Sequence, residues 1–298
     1  MATETIAVTG PMTRSRGRPA LHYIDTYNHT LRRERARIEL ADVLVDQVDL
    51  AGAVEMLQRF LVEPGTHQVV TVNLDFLSIA HRDARFRDII NGADLAVADG
   101  MPLVWVSRLK DQALPQRLTG VELVHECCAL AARDRRSLFL LGAAPGIAEA
   151  AAQKMRAQYP GLRIAGSYSP PYRQLSVAEE EDLVARINGA APDVLLVALG
   201  APRQDQWISE HRGRLNASIA IGVGCVLDLY AGVVSRAPAW MQHTGLEWTY
   251  RLIQEPGRLW RRYILDDLPM LGRLMLTPTS SRTETAATLR QPTEGPAL

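Results

Sequence analysis

Short runs of β-branched and aliphatic residues alternate with helix-length amphipathic stretches along most of this 298-residue chain. The clearest runs cover residues 69–72, 95–98, 138–141, 194–199 and 219–223. Such a run is typical of a strand that is buried on both faces, and a helix between successive strands makes them parallel. The alternation predicts an α/β fold, Rossmann-like, with a mainly parallel sheet and helices on both faces.

The limits of this alternation predict four parts. Residues 1–37 carry Arg in excess of acidic residues and lack apolar periodicity, which predicts a disordered basic arm. The Rossmann-like core covers residues 38–245. Residues 246–276 are rich in Trp, Arg and Leu and form a C-terminal appendage of helical segments interrupted by prolines. Residues 277–298 are rich in Pro, Ser and Thr, which predicts a disordered tail.

Charge and cysteine content exclude several classes of protein. Lys plus Arg and Asp plus Glu both number 33, whereas a dedicated nucleic-acid-binding protein would carry a basic excess. The three cysteines have no zinc-ligand spacing, which favours a reducing compartment. No apolar run reaches the ~18 residues of a membrane-spanning helix, and the first residues lack the apolar core of a secretory signal. We expect a cytoplasmic protein, or one on the cytoplasmic face of a membrane.

Polar residues stand where two of the predicted strands end. Thr71 and Asn73 close the first of them, and Asp99 closes the next, directly before Gly100. Ligands of parallel sheets bind beyond the carboxyl ends of the strands, so these side chains are candidates for chemistry. The alternative for Asp99 is that it caps the helix that begins near Met101.

Glycine-rich turns close two other strands. Residues 142–146 join a strand to a helix N-terminus, where free N–H groups can hold a phosphate, and Gly222 ends the last strand. Neither turn is a Walker A or dinucleotide fingerprint, and a plain tight turn explains each equally well. Solvent exposure is the simplest explanation of Arg117, whereas packing gives no reason for Gln204.

Seven stretches occur together in the order and spacing of one known family. They are Thr71-Val72-Asn73; Ala93-Asp94-Leu95 with Asp99-Gly100; Arg117-Leu118-Thr119-Gly120; Leu140-Leu141-Gly142 with Pro145-Gly146; Gly200 to Trp207; Gly222-Val223-Gly224 with Asp228; and Arg236-Ala237-Pro238 through Glu247-Trp248 to Glu255-Pro256. In these stretches, over residues 38–265, the chain resembles the WecG/TagA/CpsF family of bacterial glycosyltransferases (glycosyltransferase family 26).

The resemblance implies an inverting transfer of a sugar from a nucleotide-diphosphate donor, usually a UDP-sugar. The implied acceptor is a polyprenyl-diphosphate-linked saccharide at the inner leaflet, in exopolysaccharide or other cell-surface polysaccharide biosynthesis. The enzyme would then be peripheral on the inner face of the cytoplasmic membrane. No Asp-x-Asp metal motif is visible, so we expect a metal-independent reaction without a cofactor. The sequence leaves the oligomeric state open, a homo-oligomer included.

The resemblance also implies roles for single residues. Asp99 matches the catalytic base, and an ionised carboxylate is suited to accept the proton of an attacking hydroxyl. The implied substrate-binding residues are Thr71, Asn73, Arg117 and Gln204 in the core and Arg251, Arg258 and Arg261 in the appendage. We assign the nucleotide of the donor to Gly142, Pro145, Gly146, Gly222 and Asp228.

The appendage mixes arginines with aromatic residues. Arg251, Arg258, Arg261 and Arg262 lie among four aromatic side chains, a mixture typical of a bilayer interface. The alternative is an ordinary docked pair of helices with solvated arginines. With the family resemblance, the pattern predicts that the appendage docks on anionic membrane and brings arginine to a pyrophosphate.

The chain departs from the family pattern at several positions, which bears on the donor sugar. Val72, Cys225 and Leu227 replace residues that are common in the family, and the loop 169–173 differs from that of the teichoic-acid enzymes. These departures favour a hexose donor. The alternatives are an N-acetylmannosaminyl or N-acetylmannosaminuronic acid transferase of teichoic acid or enterobacterial antigen type, and a non-catalytic nucleotide-binding scaffold. A Rossmann-type oxidoreductase would need a cleaner glycine fingerprint.

Overall fold

The predicted strands form a single parallel sheet. A computed structural model describes residues 35–110, 112–277 and 280–284, with a compact unit from Arg35 to Thr283. The strands are β1 Arg35–Leu40, β2 Val43–Asp46, β3 His67–Val72, β4 Leu95–Ala98, β5 Ser137–Gly142, β6 Arg163–Tyr168, β7 Val194–Ala198, β8 Ile219–Gly222 and β9 Ser280–Glu284. Six of them lie in the order β4-β3-β8-β7-β5-β6. Every pairing in this sheet is parallel, which confirms the predicted fold class.

Helices cover both faces of the sheet, as predicted. They are α1 Leu50–Phe60, α2 Leu74–Arg82, α3 Ala84–Asn91, α4 Met101–Leu109, α5 Gly120–Arg133, α6 Ile147–Gln158, α7 Val177–Ala190, α8 Arg203–His211, α9 Val226–Ala231, α10 Ala239–His243, α11 Glu247–Gln254, α12 Pro256–Arg261 and α13 Leu268–Leu276. Apolar side chains of α1, α5, α6 and α9 pack on one face. Those of α2, α3 and α4, and of α7 and α8, pack on the other. Neighbouring residues of one strand enter opposite cores, as the period of a strand requires.

Side-chain caps explain where several helices begin. Thr119 and Glu122 form a capping box at the start of α5, and Ser176 and Glu179 form another at the start of α7. The helical stretch after Asn73 is two helices instead of one. Asp83 ends α2 and accepts a hydrogen bond from the backbone of α3, so the chain turns there.

A second, smaller sheet includes residues at both ends that the sequence assigned to disordered segments, so both predicted boundaries are wrong. Its strand order is β2-β1-β9, with β1 and β2 antiparallel. Residues 35–37 are therefore not part of a disordered arm, because Arg37 is fully buried and pairs with Asp46 at 3.3 Å. Residues 280–284 are not part of a disordered tail, because β9 takes the free edge of β1. The rest of the predicted arm and tail, residues 1–34, 278–279 and 285–298, lies outside the described residues.

The C-terminal appendage is docked on the core. Met270 and Leu274 of α13 are buried among the side chains of α2 and α4, and Lys110 Nζ donates hydrogen bonds to the carbonyls of Leu274 and Thr277. Pro256 and Pro269 occupy the first turns of α12 and α13, where proline is tolerated. Between these helices, Arg262–Asp267 forms a π-helical segment that the sequence did not predict.

The connections that follow two neighbouring strands leave the carboxyl edge of the sheet towards opposite faces. β3 and β8 are adjacent, but β3 leads into α2 on one face and β8 leads into α9 on the other. Helices that leave to opposite faces open a crevice between the strand ends, and ligands of α/β sheets bind in such a crevice.

Candidate active site

Asp99 lies at this carboxyl edge, one residue beyond β4. Its backbone N–H donates to the carbonyl of Val72 at 2.7 Å, and its Oδ2 lies 3.4 Å from the N–H of Gly120 at the start of α5. The alternative that Asp99 caps the next helix is wrong, because Gly100 is the N-cap of α4 and no side chain caps that helix. The carboxylate instead faces a different helix N-terminus, across the crevice.

The surroundings of Asp99 raise its pKa to about 6. Burial is the largest cause, because a carboxylate withdrawn from water loses its hydration. The charges of Arg117 and Arg251 and the N–H of Gly120 lower the pKa, and the charge of Glu247 raises it. At neutral pH this leaves an ionised carboxylate that is more basic than an exposed aspartate, which suits a general base.

Glu247, the first residue of α11, joins two arginines beside Asp99. Its Oε2 accepts a hydrogen bond from Nη1 of Arg117 at 2.9 Å, and its Oε1 lies 3.5 Å from Nε of Arg236. Arg251 lies one turn further along α11, where its Nη2 approaches Sγ of Cys225 at 3.3 Å. The appendage therefore delivers one carboxylate and one guanidinium to the edge of the sheet.

Thr71 and Asn73 lie on β3 and directly after it. Thr71 is buried, and a Cβ added to Gly120 would lie 3.9 Å from its methyl group, so the side chain of Thr71 packs against the start of α5. Asn73 caps α2 by accepting a hydrogen bond from Phe76, so its amide oxygen has a structural partner. Both residues border the crevice in which Asp99 lies.

Gln204 is buried on the other side of the crevice. Its Oε1 accepts a hydrogen bond from the N–H of Gly224 at 3.0 Å, just beyond β8. Its Nε2 would lie 2.6 Å from a Cβ at Gly222, so only glycine leaves room for it at that position. The side-chain amide of Gln204 thus holds the turn that follows β8. This contact explains why a polar residue is buried at position 204, which the sequence alone did not.

The glycines assigned to the donor nucleotide have structural reasons of their own. A Cβ at Gly142 would lie 2.4 Å from the carbonyl oxygen of Ala198, and Gly146 begins α6 with φ 84°. Pro145 lies in the exposed turn between them. The ends of β4 and β5 are four strand spacings apart, on the order of 19 Å. This turn is therefore not brought next to Asp99.

Asp228 lies in the first turn of α9, which follows β8. It is half-buried, and its backbone carbonyl accepts hydrogen bonds from the N–H groups of Val233 at 3.0 Å and Val234 at 3.4 Å. Its position is on the face of the sheet that carries α6, so it lies between the turn 142–146 and the crevice along the sheet edge.

Two of the three appendage arginines are not shown near Asp99. Arg261 is exposed and its guanidinium lies 5.8 Å from the ring centre of Trp260. Arg258 lies on α12, but its side chain lies outside what the structure describes. Arg262 instead forms ion pairs, with Asp75 of α2 at 3.3 Å and with Asp267 at 3.7 Å.

Sequence reasoning missed Arg236 and Glu247 as site residues. Both belong to stretches that carry the family resemblance, which was the available signal. Their role depends on a contact between Arg117 and Glu247 over a separation of 130 residues, which no local pattern predicts.

The described residues contain neither a cluster of metal-binding side chains nor a membrane-spanning helix. No three His, Cys, Asp or Glu side chains in ranges 35–110, 112–277 and 280–284 lie together so as to hold a metal ion. Within the same ranges, no helix is both long and apolar enough to cross a bilayer.

Comparison with known proteins gives the family. The model of the glycosyl transferase WecG/TagA/CpsF family matches residues 38–284, most of the chain and all of the site described above. The chain belongs to this family. It therefore has the fold and the general activity of these glycosyltransferases, which confirms the resemblance drawn from the seven motifs.

Curated members of the WecG/TagA/CpsF family are similar over most of their length. A protein of Bacillus subtilis (strain 168) is 33% identical over 218 residues, which are 72% of this chain and 82% of that protein. A protein of Staphylococcus aureus (strain MW2) is 31% identical over 232 residues, 77% of this chain and 89% of that protein. Both relatives are named N-acetylglucosaminyldiphosphoundecaprenol N-acetyl-beta-D-mannosaminyltransferase.

Proposed function

We propose that this chain transfers an N-acetylmannosaminyl group from a UDP-sugar to N-acetylglucosaminyl-diphospho-polyprenol, with inversion at the transferred carbon. The names of both relatives support this choice over the hexose that the sequence departures favoured. The observation that carries the proposal is the carboxylate of Asp99, which lies at the crevice with its pKa raised to about 6 and with Arg117 and Arg251 nearby.

The proposed reaction is a single in-line displacement. A hydroxyl oxygen of the acceptor forms the new bond to the anomeric carbon, while the bond from that carbon to the diphosphate breaks. Asp99 accepts the hydroxyl proton as the bond forms, and UDP leaves with the bonding electron pair. A base within hydrogen-bond reach of the attacking hydroxyl is what this step requires.

Positive groups around Asp99 suit the charge that grows on the leaving diphosphate. Arg117 and Arg251 supply guanidinium groups, and the start of α5 supplies backbone N–H groups and the positive end of a helix dipole. We propose that these groups stabilise the leaving group without a metal ion. Retention of turnover after exhaustive EDTA treatment supports this part, and a loss that Mg²⁺ or Mn²⁺ restores contradicts it.

We propose that the nucleotide extends from the crevice along the sheet edge, past Gly222 and Asp228, towards the turn 142–146. The glycines there leave backbone accessible at strand ends, and α6 begins at that turn with no side-chain cap. A UDP complex with the nucleotide at the opposite edge of the sheet contradicts this placement.

We also propose that the appendage docks on the inner face of the cytoplasmic membrane. Large apolar side chains protrude from it, among them Ile264, Leu268 and Leu276, of which Leu276 is 87% exposed. Trp248 and Trp260 are also partly exposed, and both are residue types that suit a bilayer interface. A polyprenyl-linked acceptor would reach the crevice from that side.

A panel of donors tests the proposed function. UDP-N-acetylmannosamine, UDP-glucose and UDP-glucuronic acid are each supplied with a short-chain N-acetylglucosaminyl-diphospho-lipid, using the wild-type chain and Asp99→Asn. We expect turnover with UDP-N-acetylmannosamine that depends on Asp99. Turnover with a hexose alone rejects the sugar, and UDP binding without turnover of any donor favours the scaffold alternative.

A further inference from the structure

Arg236 is a half-buried arginine whose guanidinium has unused hydrogen-bonding capacity. It lies in the loop between α9 and α10, and its side chain is 27% exposed. Its Nη2 is buried, and no hydrogen-bond acceptor for it occurs among the residues that the structure describes. A buried guanidinium N–H without an acceptor is costly, so this geometry is typical of a site whose acceptor is a ligand.

Glu247 fixes the orientation of this guanidinium and of a second one. It is 23% exposed, Arg117 is 13% exposed, and both ion pairs therefore lie largely out of water. Glu247 has two oxygens and uses one towards each arginine. An arginine carries five N–H donors in a planar fork, so each guanidinium keeps donors that Glu247 does not occupy.

The charges of this cluster define the ligand. Arg117, Arg236 and Arg251 carry three positive charges, and Asp99 and Glu247 carry two negative ones. The excess of one positive charge, with planar guanidinium groups on three segments of the chain, favours an anion that has several oxygens. A diphosphate fits, because guanidinium groups bind phosphate oxygens in pairs of parallel hydrogen bonds.

We propose that Arg236 is a diphosphate-binding residue and that Glu247 is the positioning residue that holds Arg236 and Arg117 for this ligand. This inference rests on the proposed function. Glu247 is the first residue of α11, so the two arginines are oriented only when the appendage is docked on the core. Docking of the appendage and completion of the site are then one event.

Two sources can supply the diphosphate, the UDP of the donor and the lipid diphosphate of the acceptor. Calorimetric titration of the full chain with UDP, uridine and a short-chain polyprenyl diphosphate distinguishes them. We expect Arg236→Gln to weaken binding of one diphosphate about tenfold, the loss expected for one charge-assisted hydrogen bond. Uridine binding stays unchanged, because it offers no phosphate. Arg236→Lys keeps the charge without the fork, and we expect an intermediate loss.

Arg85→Gln and Glu210→Gln are the matched controls. These residues form an exposed ion pair of 2.7 Å between α3 and α8. We expect both control variants to bind every ligand as the wild type does. Equal binding of both diphosphates by the wild type and Arg236→Gln rejects the inference alone. A wild type that binds neither diphosphate rejects the proposed function as well.

The pH dependence of transfer tests Glu247 separately. The charge of Glu247 raises the pKa of Asp99, so Glu247→Gln should move the acidic limb of the rate profile to lower pH. We expect kcat at pH 7 to fall about tenfold, because the base weakens and the arginines lose their anchor. Glu247→Asp keeps the charge but shortens the reach, so its acidic limb should stay near that of the wild type. A wild-type profile and kcat in Glu247→Gln would overturn the assignment of Glu247.

Discussion

The carboxyl edge of the sheet and the C-terminal appendage meet at Asp99, but different forces hold them in place. The strands β3, β4 and β8, which end beside Asp99, are made mainly of buried aliphatic residues, and they are hydrogen-bonded to each other in register. The appendage buries Leu259, Met270 and Leu274 and leaves most of its other apolar side chains exposed.

Ion pairs add to these few buried side chains where the appendage contacts the core. Its contacts include ion pairs of Glu247 with Arg117, of Asp266 with Arg82 and of Arg262 with Asp75. Of these pairs, that of Arg82 with Asp266 is the most exposed, and an exposed ion pair contributes little to stability and is weakened by salt. The other two pairs lie largely out of water. The comparison teaches that the carboxylate proposed as the base belongs to a buried sheet, while the orientation of the arginines around it depends on a segment that buries fewer apolar side chains.

The largest expected effect on catalysis concerns the sheet side of this comparison. Asp99→Asn removes the proton acceptor and keeps the shape of the side chain, so we expect kcat to fall by roughly 10²-fold or more. Thermal unfolding and UDP affinity should stay close to those of the wild type, because the strand hydrogen bond of Asp99 uses its backbone. The exposed Asp182→Asn serves as the control. Turnover within threefold of the wild type in Asp99→Asn would show that the carboxylate has no chemical role.

The next effect concerns the exposed apolar side chains of the appendage. Replacing Ile264, Leu268 and Leu276 by Ser should lower partition onto anionic vesicles by roughly 10³-fold or more, since each side chain contributes of the order of 1.5–3 kcal/mol when it inserts fully and a tenfold change corresponds to about 1.4 kcal/mol. Transfer to a water-soluble acceptor should change little. The control replaces Val62, Val177 and Val233, which are equally exposed on the core. If both triple variants lose vesicle binding to the same extent, the appendage has no special affinity for the bilayer.

A third prediction uses pH to sharpen the role of the sheet edge. Because the pKa of Asp99 is raised to about 6, we expect the transfer rate to be level above pH 7 and to fall about tenfold for each unit below pH 6. The ionised form is the active one, so the loss occurs on the acidic side. A rate that stays constant down to pH 4.5, with the fold intact, would contradict the environment described for Asp99.

The smallest expected effect is on stability, and it concerns two buried carboxyl groups, one in the core and one in the appendage. Burial raises the pKa of Asp205 in α8 and of Asp267 beside α13 to about 7. Each folded-state pKa lies above the unfolded value, so each group makes the protein lose stability as pH rises from about 4 to 7. Asp205→Asn should therefore raise Tm at pH 8, by roughly 2–4 °C per kcal/mol relieved, and leave Tm at pH 4 unchanged.

Asp267→Asn should act only on the appendage. We expect slower hydrogen exchange in residues 262–276 at pH 8 and little change in the Tm of the whole chain, because local opening and global unfolding are separate events. Asp182→Asn again provides the exposed control. A rise in global Tm from Asp267→Asn equal to that from Asp205→Asn would show that the two regions unfold together.

The sequence predicts the sheet edge well because its signals are local. Four-residue aliphatic runs predict β4 and its neighbours, and Asp99 follows a run whose end is marked by glycine. The predictions for residues 35–37 and 280–284 are wrong for a tertiary reason. Arg37 looks like part of a basic arm until Asp46 and two backbone carbonyls surround it, and polar β9 becomes a strand only beside β1.

Local sequence patterns do not predict the contacts of the appendage either, because these contacts join residues that are far apart in the sequence. Helical spacing predicts its helices and prolines explain their limits, but the π-helical segment and the pairing of Glu247 with two arginines depend on docking. Membrane docking, the donor sugar and the roles of Arg258 and Arg261 stay predictions.

Lys110 donates a hydrogen bond to the end of α13, so the reactivity of its amine towards an acylating reagent can report whether the appendage is attached. The chain contains only two lysines, and both donate to backbone carbonyls. Lys110 donates to Leu274 of the appendage and to Thr277 directly after it, and Lys154 donates to Ala231 at the end of α9. Lys110 is half-buried and Lys154 is exposed, so we expect acylation of Lys110 to become faster when the appendage leaves the core, while Lys154 provides an internal reference within the core. The ratio of two acylated peptides in one digest then reports the open fraction of the enzyme in any mixture of lipid and donor.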